Sequence, residues 1–209
     1  MTFQNSNGYV LDQNEISRYV LNTFKAFADS IIPQSPGMAE LYGRIQYYGA
    51  LDEYTDEYLI MSLNSLIIPY AIPTAEILNM AAAQFISINE DNQGVDNLEK
   101  SSWMLLYDLL PIARLQAVNL LLLQPMDYVM EAPIPFRNDQ GNILFITMLI
   151  NRLAMMGYYS EWSGYGTTRL KPPNQRKLEH NPISWQQIGY PGPSLGYRIS
   201  PKYDPTVKS

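Results

Sequence analysis

Apolar residues in this chain recur three and four positions apart, in stretches that prolines and Asn/Asp/Gly turns cut short. That period belongs to one face of an α-helix, whereas a half-buried strand alternates every second residue. Strand-like alternation is scarce, so the expected fold class is all-α. Asp12 and Glu15 read as a capping box. After it, Ile16, Tyr19, Val20, Phe24, Phe27 and Ile31 lie on one helix face, which Pro33 and Ser35-Pro36-Gly37 end. A turn-rich loop is expected through Tyr47-Tyr48-Gly49.

A second helix is expected from Asp52. Asp52, Glu53, Asp56 and Glu57 fill its first turns, where the helix dipole favours negative charge, and Pro69 and Pro73 break it. Thr74 is expected to cap a third helix with Ile77, Leu78, Ala81, Phe85 and Ile88. Its Ala81-Ala82-Ala83 run fits close helix packing or high propensity. Asn92-Gln93-Gly94 is a turn, and Asp96 with Glu99 a second capping box before Trp103 and Tyr107. Pro111 starts or kinks a further segment that stops at Pro125. Asn142 is expected to cap the last long helix, with Ile143, Ile146, Ile150 and Leu153 on one face. The reading is a single helical domain over 1–168 with about five to seven helices.

From residue 169 the texture changes. Residues 169–209 hold 7 of the 15 prolines, together with Trp185, Tyr190, Tyr197 and Tyr203. A disordered tail is poor in aromatics, so the expectation is an extended strap, rich in Pro, Gly and aromatics, packed on the domain or on a partner. Charge agrees: residues 1–168 carry 7 basic and 18 acidic side chains, residues 169–209 carry 7 and 2. Opposite balances attract at short range, and an acidic body argues against nucleic acid.

Only 16% of residues are charged, against 46% apolar, with 16 Tyr and 10 Met. Tyr and Met are common where one protein covers another. The chain has no Cys, which removes disulfides, thiolate nucleophiles and Cys-ligated clusters, and one His, which removes a multi-His metal site within the chain. The most apolar stretch, Leu105 to Leu123, carries Asp108, Pro111, Arg114, Gln116 and Asn119. A bilayer span needs about 20 mostly apolar residues, so this stretch is expected to form a core helix pair, and no transmembrane segment is assigned.

Four patterns resemble sites. Ser160, Glu161 and His180 are the residue types of a hydrolase triad, but Ser160 lacks a Gly-x-Ser-x-Gly turn. Gly164-x-Gly166-x-x-Arg169 approaches a dinucleotide fingerprint without its third glycine and after a helix instead of a strand. Asn89 to Lys100 resembles a calcium loop, yet aligning Gly94 places Lys100 where the bidentate Glu belongs. Asp52/Asp56 and Glu53/Glu57 pair at helical spacing, and a solvated helix start is the expected reading. No catalytic, cofactor-binding or metal-binding residue is assigned. The segments 157–169 and 182–198 combine Tyr, Trp, Gly, Pro and Arg densely, as recognition surfaces do. The residues expected to bind a partner are Tyr159, Trp162, Tyr165, Arg169, Trp185, Tyr190 and Tyr197. The alternative is that they seal the chain's own core.

Four segments carry a family resemblance: Ala28-Asp29-Ser30-Ile31-Ile32-Pro33, the run from Ala50-Leu51-Asp52 to Tyr58, Tyr159-Ser160-Glu161-Trp162-x-Gly164-Tyr165-Gly166, and Trp185-x-x-x-Gly189-Tyr190-Pro191-Gly192-Pro193. In these the chain resembles the gluconate 2-dehydrogenase subunit 3 family. The resemblance implies a non-catalytic small subunit that helps a large flavoprotein of the glucose–methanol–choline type fold and travel. FAD and the catalytic residues then belong to the large subunit, and a cytochrome subunit with haem often accepts the electrons. Many members carry a twin-arginine signal. The first residues here hold no Arg-Arg, charged n-region or apolar h-region. The sequence alone therefore gives a cytoplasmic expectation, and the resemblance a periplasmic or cell-envelope one. A free-standing structural or interaction protein without a redox partner is the alternative function.

Overall fold

The computed structural model describes residues 3–4, 10–11, 13–89, 104–123 and 131–192. Among them are helices α1 (Gln13–Ile31), α2 (Ala39–Tyr42), α3 (Thr55–Asn64), α4 (Ala71–Ile88), α5 (Leu105–Asp108), α6 (Pro111–Leu123), α7 (Gln140–Tyr159) and α8 (Ile183–Gln187). A two-residue antiparallel ladder pairs Phe3–Gln4 with Val10–Leu11. The class is all-α. α2, α5 and α8 are single turns. The loop expected before Gly49 holds α2 and two 3-10 turns, Pro36–Met38 and Arg44–Tyr47.

α1 buries Ile16, Tyr19, Val20, Phe24 and Phe27, the face its spacing predicts. α4 is the central helix, packed against α6, α1, α5 and α3. It buries Ala75, Ile77, Leu78, Ala81 and Ala82 completely. By length and composition α4 could cross a membrane, but 56% of that window is buried inside this fold. Its first half also carries buried Glu76 and Asn79. Leu105 to Leu123 forms α5 and α6, joined through Leu109 and Leu110.

Buried polar groups fix how these helices meet. Asn79 Nδ2 donates to Thr23 Oγ1 of α1 at 2.8 Å and to Ala75 O at 2.9 Å, while its Oδ1 accepts from Leu106 N at 3.0 Å. One side chain thus joins α4, α1 and α5, and buried polar groups need such partners. Arg114 pairs with Asp29 at 2.9 Å and donates to the carbonyls of Leu106 and Tyr107, closing the end of α5. α3 and α7 approach closely because Gly157 has no side chain: a Cβ there would lie 2.7 Å from the Tyr58 ring.

Three helix starts differ from expectation. α4 begins at Ala71, not Thr74, because Pro73 sits in the first turn, where a helix needs no N–H donor. α7 is capped by Asp139, whose carboxylate accepts from Asn142 N at 2.9 Å; Asn142 itself is inside the helix. α3 begins at Thr55, not Asp52. The Asp52 carboxylate instead closes a turn, accepting from Gly49 N at 2.7 Å and Gln34 Nε2 at 2.9 Å. The capping boxes Asp12/Glu15 and Asp96/Glu99 involve residues outside the described set.

Candidate functional site

The segment before and into α3 gathers most of the sequence features of interest. Tyr54, its N-cap, has φ 53°, ψ 35°, a left-handed conformation costly for a bulky residue. Its carbonyl accepts from Trp162 Nε1 at 3.0 Å, and its ring lies 3.7 Å below the Arg169 guanidinium. Two long-range partners hold Tyr54 in place.

Glu53 is 2% exposed. Its carboxylate accepts from the Ser163 hydroxyl and, at 3.1 Å, from Ile183 N. Glu57 takes Arg169 in a two-pronged pair, 2.7 Å from Nε and 3.0 Å from Nη2. Asp52, Glu53, Asp56 and Glu57 are therefore not a solvated helix start. Downstream donors from Ser163, Arg169 and Ile183 cover Glu53 and Glu57, and burying a carboxylate requires such donors.

Asp56 is buried, and desolvation raises its pKa above the usual value, outweighing the Glu57 backbone N–H that favours the charged form. A raised folded-state pKa means the folded protein holds this proton more tightly than the unfolded chain. Stability from Asp56 is complete below the unfolded pKa and is lost as pH rises through the folded one. Asp56→Asn is therefore expected to stabilise the protein at neutral pH, with the gain vanishing toward pH of about 4. Thermal unfolding of both proteins across pH 4–7 checks this, and a gain independent of pH contradicts it.

The residues expected to bind a partner divide. Trp162, 2% exposed, packs edge-on against Tyr58 at 5.6 Å beneath Arg176 at 5.2 Å. Trp185, 4% exposed, donates from Nε1 to Tyr159 O at 2.9 Å and meets the Tyr190 ring edge-on at 4.8 Å. Arg169 is committed to Glu57 and Tyr54. The chain's own body packs and hydrogen-bonds these three, as the alternative of sealing its own core expects. Tyr159 is half-buried, its hydroxyl 3.4 Å from Gln187 Oε1. Tyr165 is half-buried and donates to Glu161 at 3.0 Å; Tyr190 is exposed. Tyr197, with Leu195 and Ile199, lies outside the described residues. Residues 169–192 include a 3-10 turn, Pro173–Gln175, and α8, so this part of the strap is not simply extended. Glu53, Tyr54 and Ser163 are the structural members that the sequence reading missed or undervalued. The isolated Tyr54 gave no local signal of a left-handed turn.

The other patterns have structural uses. Ser160 Oγ donates to Gly157 O at 3.0 Å and accepts from Trp162 N at 3.2 Å, closing α7, while Glu161 accepts from Tyr165. His180 is exposed, and its backbone N–H donates to Gly164 O at 3.2 Å. None of these bonds makes a relay. Gly166, at φ 47°, turns the chain so that Thr167 N and Oγ1 donate to Glu179 at 2.9 and 2.6 Å. The Thr167 hydroxyl, then its N–H, holds the Glu179 carboxyl below its usual pKa. The glycine turn thus cradles an anion belonging to the chain. Asn89 of the calcium-like loop donates to Phe85 O at 2.7 Å; residues 90–100 lie outside the described set. Among the described residues no three His, Asp or Glu side chains cluster as metal ligands would. An open cleft of about 860 Å³ between the 44–47 turn and α8 is lined by Tyr42, Arg44, Gln46, Tyr48, Gln186 and Gln187, with no carboxylate or imidazole among its lining. Comparison with family models, curated proteins and solved structures gives no match.

Proposed function

We propose that this chain is a non-catalytic accessory subunit of a flavin-dependent dehydrogenase complex of the gluconate 2-dehydrogenase type. One observation carries the reading. The four segments that resemble the subunit 3 family lie far apart in sequence, yet they are joined in series. Ala50 N donates to Ile32 O at 2.8 Å, Trp162 Nε1 to Tyr54 O, and Trp185 Nε1 to Tyr159 O. Each segment after the first thus gives a hydrogen bond to the one before it, which supports a role in holding a shape, as a scaffolding subunit requires. FAD, the catalytic groups and any haem then reside in the partner subunits, and this chain supports the folding or transit of the large one.

The test is co-expression with a candidate glucose–methanol–choline type flavoprotein from the same genome. The two chains are expected to co-purify with the flavin, and the isolated chain to be colourless and inert in sugar- or aldonate-dependent dye reduction. A flavin spectrum on the isolated chain, or no association with the flavoprotein, overturns the proposal.

A further inference from the structure

The cleft of about 860 Å³ between the Arg44–Tyr47 turn and α8 has the size of a small-molecule site. Both of its walls are fixed from behind. The Gln46 carbonyl accepts from Ser35 N at 2.8 Å, and the Tyr48 carbonyl from the Tyr158 hydroxyl at 3.3 Å. On the other side, Glu53 holds Ile183 N and the Tyr159 carbonyl holds Trp185 Nε1. The walls are thus tied down through backbone and core groups, while polar side chains line the opening. Arg44, Gln46 and Gln186 make no side-chain hydrogen bond or ion pair with another described residue. Gln187 adds a third carboxamide, whose Oε1 accepts from the Tyr159 hydroxyl at 3.4 Å. Tyr42 and Tyr48 are exposed and add two rings. Arg44 is the one charged residue of the lining, in a chain whose net charge is −6.

We propose that this cleft binds a hydroxylated organic anion, a sugar or polyol that bears a carboxylate or a phosphate. The binding is independent of the accessory-subunit reading and stands or falls apart from it. The guanidinium fork of Arg44 matches a carboxylate or a phosphate with two parallel hydrogen bonds. A carboxamide both donates and accepts, as a hydroxyl does, so three of them suit a ligand with several hydroxyls. A Tyr ring offers an apolar face to the C–H side of a sugar and a polar tip to its hydroxyls. The lining excludes the other small-ligand classes. A cation finds Arg44 and no carboxylate. A neutral sugar strips water from Arg44 without supplying an anion. An anion with acceptors alone leaves the carboxamide oxygens unmatched.

The experiment is a titration of the isotope-labelled full chain, followed by the backbone amide signals of residues 44–48 and 183–187. The probes are glucuronate and glucose 6-phosphate, with glucose, inorganic phosphate and a Gly-Glu-Gly-Glu peptide as comparisons. At least one of the two sugar anions is expected to give saturable shifts with a dissociation constant below about 1 mM, and which of them does so tells carboxylate from phosphate. Arg44→Gln is expected to weaken that binding at least about tenfold, the loss of a charge-assisted pair. Gln186→Leu is expected to weaken it about three- to tenfold, the loss of a neutral hydrogen bond. Both positions are exposed, and unchanged signals elsewhere in the spectrum show that the variants are folded. The proposal is overturned if neither sugar anion gives saturable shifts at these residues. It is equally overturned if glucose, inorganic phosphate or the peptide binds as tightly as the sugar anion, or if Arg44→Gln binds like the wild type.

Discussion

Trp162→Ala is expected to lower the unfolding free energy by about 3–5 kcal/mol, the range for removing a buried aromatic side chain. The indole fills the seam between α3 and the turn after α7, and it makes three separable contacts: the Tyr54 carbonyl, the Tyr58 ring and the Arg176 guanidinium. Its loss leaves a cavity that cannot readily collapse, because Gly157 already brings α7 against Tyr58. It also releases Tyr54 from one of the two partners that hold its left-handed backbone. Trp162→Phe is expected to recover most of the packing but not the hydrogen bond, costing about 1–2 kcal/mol. Urea unfolding followed by far-ultraviolet circular dichroism measures both. A Trp162→Ala protein of near wild-type stability that no longer binds its partner would return this residue to the interface.

Glu53→Ala is expected to cost about 2–4 kcal/mol, because it leaves the Ser163 hydroxyl and the Ile183 N–H without their buried acceptor. One donor lies in the turn after α7 and the other at the start of α8 in the strap, so the effect is local before it is global. Limited proteolysis should cut the variant between residues 170 and 182 under conditions where the helical body stays intact. Glu53→Gln keeps an acceptor oxygen and is expected to cost less than Glu53→Ala. Equal loss in the two variants, or protection of 170–182 in Glu53→Ala, would show that this carboxylate does not fasten the strap.

The helical faces were legible where the period was long and local. The α1 positions from Ile16 to Phe27 and the inner α7 positions Ile143, Ile146 and Ile150 are buried as their spacing predicts. Leu153 is only partly buried against the same core. Boundaries were less legible, because Pro73 is a breaker inside a helix and harmless in its first turn, and sequence gives no sign of which applies. The acidic run from Asp52 to Glu57 was misread for a different reason. Four carboxylates at a helix start look alike whether water or distant residues supply their donors, and here Ser163 and Ile183 serve Glu53 while Arg169 serves Glu57. Aromatic density carries the same ambiguity: Trp162 and Trp185 have the composition of a contact surface and the burial of a core.

The bonds from Tyr54 to Trp162 and from Glu53 to Ile183 span 108 and 130 residues. During synthesis, α3 emerges long before the residues that cover it. Glu53 and the Tyr54 carbonyl are without these partners until residues 162 to 183 have been made, and a chain that stops before Trp162 never closes over them. Closing so long a loop costs little more entropy than closing a shorter one, so lateness is a matter of timing, not of stability. The seam is therefore a late-closing part of the fold, made by residues more than a hundred positions downstream of the groups they cover.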